Sequence, residues 1–283
     1  MKNLSPLKIL IVLCFLFFGM VSSLHAFNRG AMLSPTRVVM EGRERAVIVK
    51  MINPEDKTNT YKVSLISMRM DEYGRRVEVK EPSEEERAVQ KMIRFSPRRA
   101  TVGPKGWQTI RIMTRKPADL APGEYRAHLR VVPIPDARKA PKADGKGQEQ
   151  LQVNLDVIFS ITIPIIIRHG QGDVKITAQA PQLKHWKKNN TYTLETILSR
   201  TGLHSAYFDI TAYLMPPGQT EKQLIGEFKG ASFYTPNTSQ VLNIPLQPRA
   251  LSMLSNKGIL TLDILDREDP GLPLMGSWVY QLD

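Results

Sequence analysis

Past its first few turns the chain contains no cysteine: the sole one is Cys14. That removes disulfide staples and thiolate nucleophiles from consideration, while leaving an oxidising compartment open. There is no Gly-x-Ser-x-Gly elbow and no phosphate-cradling glycine loop. After residue 26 the histidines are His128, His169, His185 and His204, too scattered for metal-ligand spacing, and each reads as an ordinary surface or hinge residue. Carboxylates gather at Glu84-Glu85-Glu86 and in residues 263–269, clusters that read as solvated faces and not as an acid/base pair. Neither a metal nor an organic cofactor is expected. Acidic residues are the minority, 27 against 39 Lys and Arg, for a formal charge of +12. Yet no basic run is interleaved with aromatics; Lys184, Lys187 and Lys188 around Trp186 read as a solvated loop, so nucleic acid is not indicated.

What is present begins with a targeting segment. Lys2 and Lys8 form a charged start, residues 9–21 an apolar middle and Leu24-His25-Ala26 a small-residue cleavage site. Cys14 follows Leu13, where a lipoprotein signal would place a small residue. Removing residues 1–26 leaves 37 basic and 27 acidic residues, hence +10. No later segment is long enough to span a bilayer: the strongest, residues 157–167, is interrupted by Ser160, Thr162 and Pro164. Membrane insertion after signal removal is therefore not expected, and export is.

The rest is punctuated by 20 prolines and 18 glycines between short alternating runs. Tyr61, Val63 and Leu65 alternate with Lys62, Ser64 and Ile66, and Tyr125, Ala127, Leu129 and Val131 with Glu124, Arg126, His128 and Arg130. Such spacing, with little helical periodicity, predicts an all-β chain of sandwich type. A short helix fits residues 84–90, and residues 133–150, rich in Pro, Lys, Asp and Gly, read as a loop. His169-Gly170-Gln171-Gly172 is the predicted hinge, giving domains 27–168 and 169–283.

One stretch stands apart. Leu151, Val153, Leu155, Val157, Phe159, Ile161 and Ile163 fall on every second position, a row about twice the usual strand length and broken only by Ile158. A core strand bending from one sheet to the other would explain it, and so would a row meant for another protein. Five such side chains buried against a partner would contribute about 8–15 kcal/mol before association costs.

Several segments together resemble the periplasmic pilus-assembly chaperones of the chaperone/usher pathway. The matching words are Ser34-Pro35-Thr36-Arg37-Val38-Val39-Met40-Glu41-Gly42, Ile93-Arg94-Phe95-Ser96-Pro97-Arg98 through Gln108-Thr109-Ile110-Arg111, and Pro122-Gly123-Glu124-Tyr125-Arg126-Ala127-His128-Leu129. They lie between residues 33 and 168; beyond, Arg200-Thr201-Gly202 and Phe233-Tyr234 match only loosely. The resemblance implies two immunoglobulin-like β-sandwiches set at an angle. It implies pilus or fimbrial subunits as partners, bound by strand addition, and an outer-membrane usher that receives them. Leu151, Val153, Leu155, Val157 and Phe159 would be the donated face, with Ile161 and Ile163 nearer the chain's own core.

Family members also hold the subunit's terminal carboxylate with an arginine and a lysine. Arg37 matches that arginine. The lysine is missing, since Pro164 or, with an offset, Ser160 falls in its place, and Arg94, Arg111 and Arg168 are the substitutes to test. The expected function is that of a periplasmic, non-enzymatic chaperone. The rivals are a structural or pilin-like surface protein and an exported carbohydrate-active enzyme. An uncovered apolar row also leaves room for self-association without a partner.

Overall fold

A computed structural model of the chain describes residues 30–135, 158–255 and 257–282. Its first half runs β1 (Met32–Ser34), β2 (Val38–Met40), β3 (Ala46–Ile52), β4 (Asn59–Ile66), β5 (Met68–Met70), β6 (Arg76–Glu78), helix α1 (Glu84–Met92), β7 (Ile93–Ser96), β8 (Arg99–Val102), β9 (Trp107–Thr114), β10 (Gly123–Ile134) and β11 (Ile161–His169). Two sheets face each other, ordered β1-β3-β9-β7 and β2-β11-β10-β4-β8. The period of two sends Val49 and Met51 of β3 and Ile110 and Ile112 of β9 inward against Ala127, Leu129, Val131, Ile163, Ile165 and Ile167. Between β1 and β2, and again between β7 and β8, the chain crosses from one sheet to the other. The crossings carry Pro35 and Pro97, residues that donate no ladder hydrogen bond.

The second half runs β12 (Lys175–Ala178), β13 (Gln182–Trp186), β14 (Thr191–Thr201), β15 (Ala206–Met215), β16 (Gln223–Phe233), β17 (Ser239–Pro245), helix α2 (Ala250–Leu254), β18 (Gly258–Asp266) and β19 (Leu274–Leu282). β12 and β13 share one edge of β14 and β17 takes the other, opposite a β16-β15-β18-β19 sheet. Phe208, Ile210, Leu214, Leu260, Leu262 and Ile264 fill its core. The chain thus forms two immunoglobulin-like β-sandwiches: the all-β class was expected from the strand spacing, the immunoglobulin-like pair from the family resemblance. The change of sandwich falls between His169 and Lys175, where Gly170 has φ +71° and lies so close to Pro122 that a Cβ would sit 2.8 Å from its ring.

Two expectations about strands are corrected. The uninterrupted strand expected over residues 151–168 begins, among the described residues, only at Ile161; residues 158–160 belong to no strand, and residues 151–157 lie outside the described part, as do 136–150. Past the end of the expected row at Ile163, β11 is apolar on both faces. All residues from 163 to 168 are buried, because the face turned away from the core is covered as well: Ile166 packs on Met70 and Tyr234, the latter from the second sandwich. Lys184 and Trp186 lie in an edge strand and not a loop. Short edge strands with lysines, and strands with mixed outer faces, carry little alternation.

Between β4 and β7 the chain makes a hairpin and a helix that cap the outer face of the β10 sheet. Ser83 and Glu86 close a capping box on α1, and Glu86 also takes two hydrogen bonds from Arg69 of β5, at 2.9 and 3.0 Å. The hairpin tip reaches the second sandwich, where Val241 N–H donates to Glu72 O at 2.7 Å and Asn237 Nδ2 to Met70 O at 2.9 Å.

This cover buries His128, which is 1% exposed and so not the surface residue expected. Neither ring nitrogen has a hydrogen-bond partner among the described residues. Burial first, then the nearby Arg126 and Arg76, push its pKa down to about 3. The folded state therefore keeps this imidazole neutral while the unfolded chain takes a proton below about pH 6.5. Stability is complete above that pH and is lost as pH falls toward 3. Between pH 7 and 5 we expect a loss of about 2 kcal/mol from this group. Urea denaturation of His128→Leu should show that increment gone, and an identical pH dependence in both proteins would refute the assignment.

Candidate functional site

The face of the β2-β11-β10 layer that looks away from the core carries the chain's densest cluster of charge among the described residues. Strand register creates it. Glu124 and Arg168 are direct cross-strand partners, Arg126 faces Ile166, and Ile166 faces Val39 of β2. Arg37 enters from the turn just before β2.

From the second sandwich come Ser205, Tyr207, Tyr234 and Glu268. Arg37 donates to Glu268 Oε1 at 2.6 Å and to the Tyr234 hydroxyl at 3.1 Å, with its guanidinium 5.0 and 5.4 Å from the Tyr207 and Tyr234 ring centres. Arg168 donates from Nε to Glu124 Oε2 at 3.1 Å and from its second terminal nitrogen to Glu268 Oε1 at 3.1 Å, with Glu268 Oε2 2.8 Å away, while its other terminal nitrogen meets Glu41. The Glu124 side chain is wholly buried. It accepts from the Ser205 backbone N–H at 2.9 Å and from the Ser205 hydroxyl. Arg126 lies 4.1 Å over the Tyr234 ring and donates to Thr235 O at 3.1 Å.

Burial opposes ionisation of Glu124, but the Ser205 donors and Arg168 outweigh it and hold its carboxyl below the usual range. Arg168 is pushed up: burial works against its charge, and Glu268, Glu41 and Glu124 more than compensate. Burial alone dominates for Arg126 and lowers its pKa. The cluster is thus a set of forked arginine–carboxylate contacts that join the two sandwiches.

Of the residues expected at a carboxylate anchor, Arg37 and Arg168 are here together. Arg94 and Arg111 are not: they are exposed on β7 and β9, in the opposite sheet. Arg37 already holds a carboxylate, that of Glu268, which had been read as part of a solvated acidic run. Arg126, Ser205 and Glu268 were missed because their meeting depends on strand register and on how the sandwiches dock. The expected donated row Leu151, Val153, Leu155 and Val157 lies outside the described residues; Phe159 is described and 53% exposed, beside Ile158 at 46%.

No family model matches the chain, and no curated protein matches it in sequence. Similar solved structures include the YadV chaperone, 12% identical over 88% of this chain and 99% of that one with a TM-score of 0.46. Others are a chaperone–tip adhesin complex of CFA/I fimbriae biogenesis (11%, 89% and 97%, 0.45) and the CupB2 chaperone of Pseudomonas aeruginosa (12%, 89% and 100%, 0.43). Two of these are chaperones and the third is a chaperone–adhesin complex. At these identities and TM-scores the likeness does not itself assign a function.

Removing one member of a buried pair leaves its partner's charge uncompensated. Arg168→Ala should therefore cost about 3–5 kcal/mol, whereas Arg94→Ala and Arg111→Ala should stay within about 0.5 kcal/mol. Urea denaturation of the three variants checks this contrast.

Proposed function

We propose that this chain is an exported, non-enzymatic chaperone of pilus or fimbrial assembly, acting in the periplasm. It binds immature subunits by lending them a strand from Leu151, Val153, Leu155, Val157 and Phe159, and passes them to an outer-membrane usher. The sandwich of residues 27–168 carries the lent strand, and that of residues 169–283 forms the other wall of the cleft.

The observation that carries this reading is the way β11 leaves its sheet. β2 pairs only with Ile165, Ile166 and Ile167, so no strand flanks residues 161–164 on that side among the described residues. Immediately upstream, Ile158 and Phe159 are large, apolar and exposed, and the alternating row continues from there through the sequence. An unpaired strand edge with apolar teeth beside it is what strand addition uses: backbone hydrogen bonds supply affinity and alternate side chains fill the acceptor's pockets. The motif words around Arg37, Arg94 and Glu124 support the same family.

A carboxylate placed in the lent row would be buried unpaired in the subunit's groove. Leu155→Glu and Val157→Glu should therefore leave the chaperone folded, with an unchanged urea midpoint, and abolish recovery of co-produced subunit from the periplasm. Full recovery with both changes present would rule out strand lending. Finding the protein as a component of purified fibres would point instead to a structural, pilin-like role.

A further inference from the structure

The β1-β3-β9-β7 sheet of the first sandwich turns one face to the core and the other to solvent. On the solvent face Met32, Ile48, Trp107 and Met113 are 51, 62, 58 and 38% exposed. Strand register sets them among cations. Met32, Ile52 and Trp107 form one cross-strand row, Lys50 stands in the next, Ile48 faces Arg111 in the third and Met113 faces Arg94 in the fourth, rows about 7 Å apart. Lys50 Nζ lies 4.5 Å over the Trp107 ring.

None of the outward residues of these four strands is acidic, and Lys50, Arg94 and Arg111 make no ion pair with a described residue. In the loop after β3, Glu55 and Asp56 are taken by Lys57 and Lys105 at 3.2 and 3.1 Å. The second sandwich differs, because carboxylates stand among its outer cations: Glu195 beside Lys184 and Glu227 beside Lys229.

The mixture of side chains decides the partner. A protein interface centres on a patch poor in charge, and lysine is depleted there; here every row but the first carries a cation. An anionic lipid surface suits the arrangement. Indole and aliphatic side chains enter the boundary between headgroups and acyl chains, while basic side chains lay apolar stems along it and keep their charge at the phosphates. The chain's excess of positive charge attracts the same surface from a distance.

We propose that the outer face of β1-β3-β9-β7 is a membrane-docking surface, which lays the first sandwich on an anionic phospholipid bilayer with Trp107 at the interface and Lys50, Arg94 and Arg111 on lipid phosphates. The docking is peripheral and inserts no helix or strand. It goes beyond the chaperone reading and does not depend on it, since the face belongs to the sheet opposite the one that holds β11.

Flotation of the full mature chain with vesicles tests this. At low ionic strength it should float with vesicles of equal parts phosphatidylglycerol and phosphatidylcholine and not with phosphatidylcholine alone, and salt should release it. Arg94→Gln combined with Arg111→Gln should weaken binding roughly twentyfold or more, about fivefold per cation, with an unchanged urea midpoint. Lys187→Gln combined with Lys188→Gln removes the same charge from an exposed turn of the second sandwich and should change binding by no more than about twofold. Vesicle binding should shift tryptophan emission to the blue, and Trp107→Phe should remove that shift although Trp186 and Trp278 remain. Equal flotation with both vesicle types, flotation with neither, equal losses in the two double variants, or an emission shift that survives Trp107→Phe overturns the surface. Binding of soluble poly-glutamate without binding of vesicles would point to an acidic protein partner and overturns it too. No pilus subunit enters the assay, so each of these results leaves strand lending as it stood.

Discussion

Glu124 is the constraint around which the two sandwiches are arranged. A wholly buried carboxylate must be paired, and its partners come from both sides of the cleft: Arg168 from the neighbouring strand and Ser205 from the second sandwich. Arg168 in turn reaches Glu268, and Glu268 reaches Arg37, so the charges form one continuous chain. Buried ion clusters of this sort add little net stability over a well-packed apolar contact. What they do is make other arrangements expensive, since any different docking strands a charge in the interior. The hairpin contacts at Glu72 and Met70 brace the same arrangement from a second point.

β11 gathers these tasks into one strand. Its inward residues, Ile163, Ile165 and Ile167, belong to the first core. Its outward residues, Ile166 and Arg168, belong to the cleft, one packing on Tyr234 and the other holding the charge cluster. Its upstream end runs out past the short β2 to the exposed Phe159. The strand is clamped on both faces at one end, and that end fixes its direction. Order near the cleft and exposure upstream follow from where the neighbouring strands stop.

Much of the fold was legible residue by residue. The alternations at Tyr61, Val63 and Leu65 and at Ala127, Leu129 and Val131 predicted strands and their inward faces, and those residues do line the first core. Gly170 marked the change of sandwich. The helix after Ser83 was expected two residues short of its observed end. Less legible were features set by neighbours: β13, the burial of His128, and the role of Glu268, which in sequence is one acidic residue among several. Arg37 was singled out as an expected carboxylate anchor by the words around it, but nothing local indicated that the carboxylate of Glu268 already meets it.

Taken alone, the order of the amino acids determined the all-β class and the placement of many strands. These are consequences of a two-residue period and of turn residues, both of which act over a few positions. Only the tertiary structure decided which polar groups meet. Glu124 and Arg168 are 44 residues apart, and Arg37 and Glu268 231 apart. Electrostatic pairing depends on distance in space and on exclusion of water, and neither is written in local sequence.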